Sequence, residues 1–186
     1  AKSEILEKAM TLRDVERRTL ETQELEYFTH WWTSVVRALL EITDGKALPS
    51  ELAKSLQPPV PEADVQASLA LLTDLGLVKK ISSGRLLPTQ AHLTAGGQAK
   101  AEAVRRFQRQ ILSLASEALE RFSPDERDVS TLTVSLDDVA FREIRELVRE
   151  CRRQIQKRVD DCRNPDRVLH LAMAFFPAAR KPGSKP

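Results

Sequence analysis

Residues 61–94, PEADVQASLALLTDLGLVKKISSGRLLPTQAHLT, constrain the fold more than any other stretch of the chain. Pro61 is expected at the start of a helix, where its fixed φ and missing N–H cost nothing. Glu62 and Asp64 follow in the first turn and complement the positive end of the helix dipole. Val65, Leu69 and Leu72 recur at helical spacing, with Leu71 and Leu75 widening the stripe. Gly76 is placed to take the left-handed conformation that ends a helix. Beyond it, residues 77–81 read as a short strand, Ser82-Ser83-Gly84 as a turn and residues 85–87 as a returning strand. A helix, a glycine stop and a hairpin carrying Lys79, Lys80 and Arg85 are thus predicted in that order.

The preceding segments extend this unit. Leu25, Phe28, Trp32, Val35, Val36, Leu39 and Leu40 predict a helix with a wide apolar face, ending near Asp44-Gly45. Tyr27, His30 and Trp31 crowd the same segment, which reads as an aromatic anchor for its domain rather than a ligand cage. Pro49-Ser50 opens a second short helix over residues 51–56, with Leu52, Ala53 and Leu56 inward. The pattern LxxLxxxGLV…GR…LT is carried by Leu69, Leu72, Gly76, Leu77, Val78, Gly84, Arg85, Leu93 and Thr94. In this order it resembles bacterial winged-helix regulators and implies a winged-helix domain over residues 25–93.

The remaining segments flank that domain. Residues 1–24 read as an N-terminal helical arm, capped by Ser3 and thinly apolar (Ile5, Ala9, Leu12, Val15). Residues 94–123 read as a long connecting helix capped by Thr94. Its Val104, Phe107, Ile111, Leu114 and Ala118 form two heptads of an a/d seam, suited either to packing within the chain or to dimerisation. Residues 124–178 read as a strand-helix-strand domain. Leu132, Val134 and Leu136 alternate with polar residues, Asp137 caps a helix, and Ile144, Val148, Cys151, Ile155, Val159 and Cys162 form its apolar stripe. Residues 168–176, VLHLAMAFF, are apolar on both faces and are expected inside a sheet. Two strands alone do not make a stable sheet in water, so a second copy of the chain is expected to supply the others. The predicted homodimer interface is Leu169, Leu171, Met173 and Phe175, together with the seam residues Val104, Phe107, Ile111 and Leu114. Residues 179–186 are read as a disordered tail. The predicted class is α+β, mainly helical.

Candidate chemistry is sparse. His30, His92 and His170 fall on three separate elements without HxH, HExxH or CxxC spacing, and no phosphate-cradling glycine motif is present. No enzymatic activity, metal or cofactor is expected. Cys151 and Cys162 read as buried, reduced thiols of a cytoplasmic protein. No apolar run approaches the roughly 18 residues that span a bilayer, no signal peptide is apparent, and no membrane association is expected.

With all segments in place, the chain resembles a bacterial family of transcriptional regulators that carry a C-terminal domain of unknown function behind a helix-turn-helix. The resemblance lies in Tyr27-Phe28-Thr29-His30-Trp31, in residues 69–78 and in residues 127–133. It continues through Ile144-Arg145, Cys151-Arg152-Arg153, Arg167-Val168 and Phe176-Pro177. It implies a lambda-repressor-like helix-turn-helix upstream, and because the sequence starts at Ala1 rather than Met it is expected to be the C-terminal part without that reader. The function expected is DNA-binding transcription regulation, with duplex DNA held mainly by the wing. Candidate contacts are Gln66, Ser68, Lys79, Lys80, Arg85, Arg105, Arg106 and Arg109. Glu62 and Asp64 stand at the mouth of the recognition helix, where they repel phosphates, and no Lys or Arg lies between Pro61 and Val78. The alternative is a winged-helix scaffold that binds protein rather than DNA. Of the seven basic residues of 142–158, much reads as i,i+3 and i,i+4 pairing with Glu143, Glu146 and Glu150. Arg152, Arg153, Lys157 and Arg158 have no acid among them and form a net basic patch, read as a solvated face.

Overall fold

The computed structural model describes residues 23–90 and 98–181. Most of the expected N-terminal arm, with its Ser3 cap, lies outside them, as do Leu93, Thr94 and the tail beyond Lys181. Residues 23–27 are helical. They are followed by α1 (Trp32–Ile42), α2 (Pro49–Ser55), α3 (Glu62–Asp74), β1 (Val78–Lys80), β2 (Leu86–Pro88), α4 (Gln98–Arg121) and α5 (Asp138–Asp160). Among the described residues the fold is therefore mainly helical with one small antiparallel two-stranded sheet, an α+β arrangement. The described residues up to Leu114, with Asp166–Val168, form one compact unit, and those of Ala115–Pro165 and from Leu169 onward form another.

The core of the first unit comes from the stripes that the sequence spacing marks. Val36 and Leu40 of α1, Leu52 of α2 with Leu56 just after it, Val65 and Leu72 of α3, and Leu77 and Val78 at the hairpin are each 2% exposed or less. Each such side chain stabilises the fold by about 1.5–3 kcal/mol relative to an exposed one. Local chemistry fixes where the helices begin and end. The Glu51 carboxylate accepts from the Leu48 N–H at 2.7 Å and satisfies one free donor at the start of α2. Pro61 is the N-cap of α3 rather than its first helical residue, so the helix begins one position later than expected, and Glu62 and Asp64 fill the first turn.

Helices α1 and α3 end in the same way. In α3 the Gly76 N–H donates to the Thr73 carbonyl and the Leu77 N–H to that of Leu72. In α1 the Asp44 N–H donates to Glu41 and the Gly45 N–H to Leu40. Both are Schellman closures around a left-handed residue, Gly76 at φ 67° and Asp44 at φ 50°. After α3 the hairpin pairs Val78 with Pro88, Lys79 with Leu87 and Lys80 with Leu86.

Of the expected a/d seam, Ile111 is buried in the first unit's own core, and Phe107 and Leu114 pack against it. Within the chain these three residues thus serve packing in the first unit, the first of the two uses to which the seam is suited. The aromatic segment before α1 occupies them instead, with Phe28 edge-on to Phe107 at 6.0 Å between ring centres. Gln110 locks the contact, its amide donating to the Thr29 carbonyl (2.8 Å) and accepting from the Trp31 N–H (3.2 Å).

In the second unit Asp137 caps α5 as expected, its carboxylate accepting from the Ala140 N–H at 2.8 Å. The flanking strands, however, do not form in the single chain: residues 129–136 and 168–176 carry neither helix, turn nor ladder. A two-stranded sheet is marginal in water, and among the described residues no ladder joins these segments to each other or to another strand. No residue of α5 is buried, and Cys151 and Cys162 are exposed rather than buried because the C-terminal half of their stripe is open to solvent.

Candidate nucleic-acid interface

The hairpin is braced from both ends, and this determines what its charges can reach. At its base the Thr89 N–H donates to the Leu77 carbonyl at 2.9 Å and the Thr89 hydroxyl to the Gly76 carbonyl at 2.7 Å. The Arg37 guanidinium, reaching from α1, donates to the Thr89 carbonyl at 2.8 Å. Towards the turn, Leu86 lies against Gly45, where an added Cβ would stand 2.2 Å from the Leu86 carbonyl oxygen. Only glycine permits that approach, and its φ of 62° favours glycine independently.

Lys79 and Lys80 are exposed on β1 and form no ion pair among the described residues. Adjacent residues on a strand face opposite sides, so the two ammonium groups flank the hairpin rather than crowd one face. Arg85 is otherwise engaged. Its Nε donates to the Ser83 hydroxyl at 3.1 Å and its Nη1 to the Asp44 carbonyl at 3.3 Å, tying the turn to the end of α1. The Asp44 carboxyl is held below the usual carboxylate range, first by the hydrogen bond from Lys46 at 3.0 Å and then by the charges of Lys46 and Arg85. Arg85 therefore braces the hairpin as well as charging it.

The exposed side of α3 is acidic or neutral. Glu62 is exposed and accepts from the Gln66 amide at 3.0 Å, so Gln66 remains at the surface but is already partnered. Ser68 is not available to a groove. It is 5% exposed, with its hydroxyl 3.4 Å from that of Thr33 on α1. Position 68 lies three residues after Val65 and four before Leu72, which puts it on the buried stripe. On α4, Arg105, Arg106 and Arg109 are exposed, and Arg106 pairs loosely with Glu102 at 3.7 Å. They alternate with Phe107 and Gln110, which point into the core. The candidate cations thus lie on separate elements, the hairpin and α4.

On α5 the basic residues form a solvated face that is ion-paired only in part. Arg149 bonds Glu146, Arg153 bonds Glu150 at 2.6 Å, and the Arg145 guanidinium lies 5.7 Å from the Phe141 ring centre. Among the described residues no group of three or more His, Cys, Asp or Glu could hold a metal, and no helix is long and apolar enough to cross a membrane. His30 stacks on Trp32 with ring centres 4.3 Å apart, within the aromatic anchor.

Arg37, Thr89, Gln110 and Gly45 were not singled out from the sequence as positioning residues. Gly45 had a readable signal, since a glycine just after an expected helix end marks a special backbone position. Gln110 had one too, being a polar residue three after Phe107 and four before Leu114, inside the apolar seam. No curated protein and no solved structure matches the chain. The family model described as "Domain of unknown function (DUF4423)" matches residues 13–178, and the chain belongs to that family.

Proposed function

We propose that this chain is the winged-helix and dimerising part of a non-enzymatic, cytoplasmic transcriptional regulator, touching duplex DNA mainly through the hairpin. Three helices followed by a two-stranded hairpin are the element order of a winged helix. The observation that carries the reading is the pair of exposed, unpaired lysines, Lys79 and Lys80, on a hairpin fixed to the core at both ends. A braced hairpin presents its charges to a backbone without first having to be ordered. The test is the salt dependence of duplex binding. Each lost phosphate contact reduces the slope of log K against log salt by about 0.9, so Lys79→Ala with Lys80→Ala lowers it by roughly 1.8 and weakens all sequences alike. An unchanged slope overturns the reading.

A second reading is favoured by a different observation. Glu62, Asp64 and Asp74 charge α3 negatively, and no basic residue lies on that helix. In this reading α3 meets a basic protein surface and the hairpin is incidental. Glu62→Gln with Asp64→Asn separates the two. It strengthens non-specific duplex binding if DNA approaches the helix mouth, and abolishes partner binding if the acids are themselves the contact.

A further inference from the structure

The second unit of the fold leaves its apolar surface uncovered. Leu132 is 85% exposed, Leu169 74%, Phe176 73% and Leu147 67%, and Val139, Val159 and Leu171 are each more than half exposed. Four of these seven open side chains, Leu132, Leu169, Leu171 and Phe176, fall on the two segments that flank α5, a concentration that marks an interaction surface rather than singly scattered apolar residues. Local order is nevertheless present: α5 is capped by Asp137, and Phe141 stacks on Phe175 with ring centres 5.4 Å apart.

We infer that a second copy of this chain covers that surface by backbone pairing, with residues 129–136 and 169–176 of each chain forming one intermolecular sheet under the two α5 helices. The inference builds on the dimerising part of the function proposed above. Three observations select a second copy over another partner. Residues 129–136, VSTLTVSL, contain no charged side chain, and neither do residues 169–176, LHLAMAFF, apart from His170. Pairing about a two-fold axis brings the same patch of both copies together, where like charges destabilise. Charge-free segments are what that symmetry requires, whereas a partner of opposite charge would find nothing here to recognise. The second observation is number. One chain offers two segments, fewer than an independent sheet needs, and two chains offer four. The third is the missing edge protection. A lone uncharged strand edge is an aggregation hazard that proteins blunt with lysines, prolines or bulges, and residues 129–136 contain no lysine or proline.

The test uses the full chain. Sedimentation across nanomolar to tens of micromolar concentration gives the mass, and amide hydrogen exchange at both ends of that range reports backbone pairing. The expected result is a two-chain species with protection in both 129–136 and 169–176 that disappears on dilution. Thr133→Pro and Val134→Pro, made separately, each remove one N–H, and adjacent N–H groups point to opposite strand edges. At least one of them should weaken dimerisation more than tenfold. Both segments lie outside any ladder of the chain and outside the first unit, so that unit should keep its fold, reported by the fluorescence of Trp31 and Trp32, the only tryptophans. A monomer at all concentrations, a dimer whose two segments exchange freely, open-ended aggregation, or undiminished dimerisation by both proline variants would each overturn the inference. Duplex binding is scored separately with Lys79→Ala and Lys80→Ala, which leave the mass unchanged, so the two proposals fail independently.

Discussion

Replacing Gly45 by alanine tests how firmly the hairpin is seated on the end of α1. Two costs add at that position. An L-residue in the left-handed region costs roughly 1–2 kcal/mol. The new Cβ would also lie 2.2 Å from the Leu86 carbonyl oxygen and 2.9 Å from its carbon, both backbone atoms that no side-chain rotation can move. Clearing such a contact means shifting the hairpin by about 1 Å, and overpacking of this kind typically costs about 1–3 kcal/mol. Gly76 supplies the control. Its φ is 67°, almost the same as the 62° of Gly45, but a Cβ there meets nothing within 4 Å. Gly76→Ala should therefore lose only the conformational part, and Gly45→Ala should be the less stable variant by about 1–3 kcal/mol. Urea denaturation followed by tryptophan fluorescence is the assay, since Trp31 is buried in the core of this unit and Trp32 packs against it. With a slope of about 1–3 kcal/mol per molar, the two midpoints should differ by roughly 1 M. Equal midpoints would refute the seating of Leu86 on Gly45, and with it the argument that the hairpin is braced towards its turn.

Two further outcomes follow from the second unit. Asp137→Ala removes the cap of a helix none of whose residues is buried, so about 1 kcal/mol of helix stability goes with it. Faster hydrogen exchange at Ala140 and its neighbours checks this, and unchanged exchange would show that the cap is dispensable. Cys151 and Cys162 should both react quickly with a thiol reagent in dilute solution, where the chain is single. Labelling of Cys151, in the middle of the α5 stripe, should slow as concentration rises through the dimerisation range, read by intact mass.

The helices were legible because their signals close within a few residues. α3 ends where the Gly76 N–H donates to Thr73 and the Leu77 N–H to Leu72, and α5 starts where the Asp137 carboxylate accepts from the Ala140 N–H, so a short window of sequence contains the whole interaction. The candidate contacts fared less evenly for a reason the same periodicity contains. Gln66 and Ser68 are two positions apart on α3, about 200° around the helix, and cannot both face a groove. Val65 and Leu72 had already assigned position 68 to the core, where the structure puts it. Arg85 was legible as a charge but not as a brace, because its partner is the carbonyl of Asp44, more than forty positions away and without a side-chain signature.

The seam on α4 and the stripe on α5 look alike in sequence yet have opposite fates, and the difference lies in what each meets. Phe107, Ile111 and Leu114 find Phe28 and the buried first unit within their own chain, and Gln110 fixes that pairing with two hydrogen bonds. On the α5 stripe Ile144 and Val148 are half-buried and neighbouring Phe141 stacks on Phe175, but Ile155 and Val159 remain exposed although the periodicity assigns them to a core. Spacing establishes that a face is apolar; it does not establish which molecule carries the complementary face. Where a capped, strongly amphipathic helix buries none of its residues, the folding free energy its stripe would supply is still unspent, and association is the step that can draw on it.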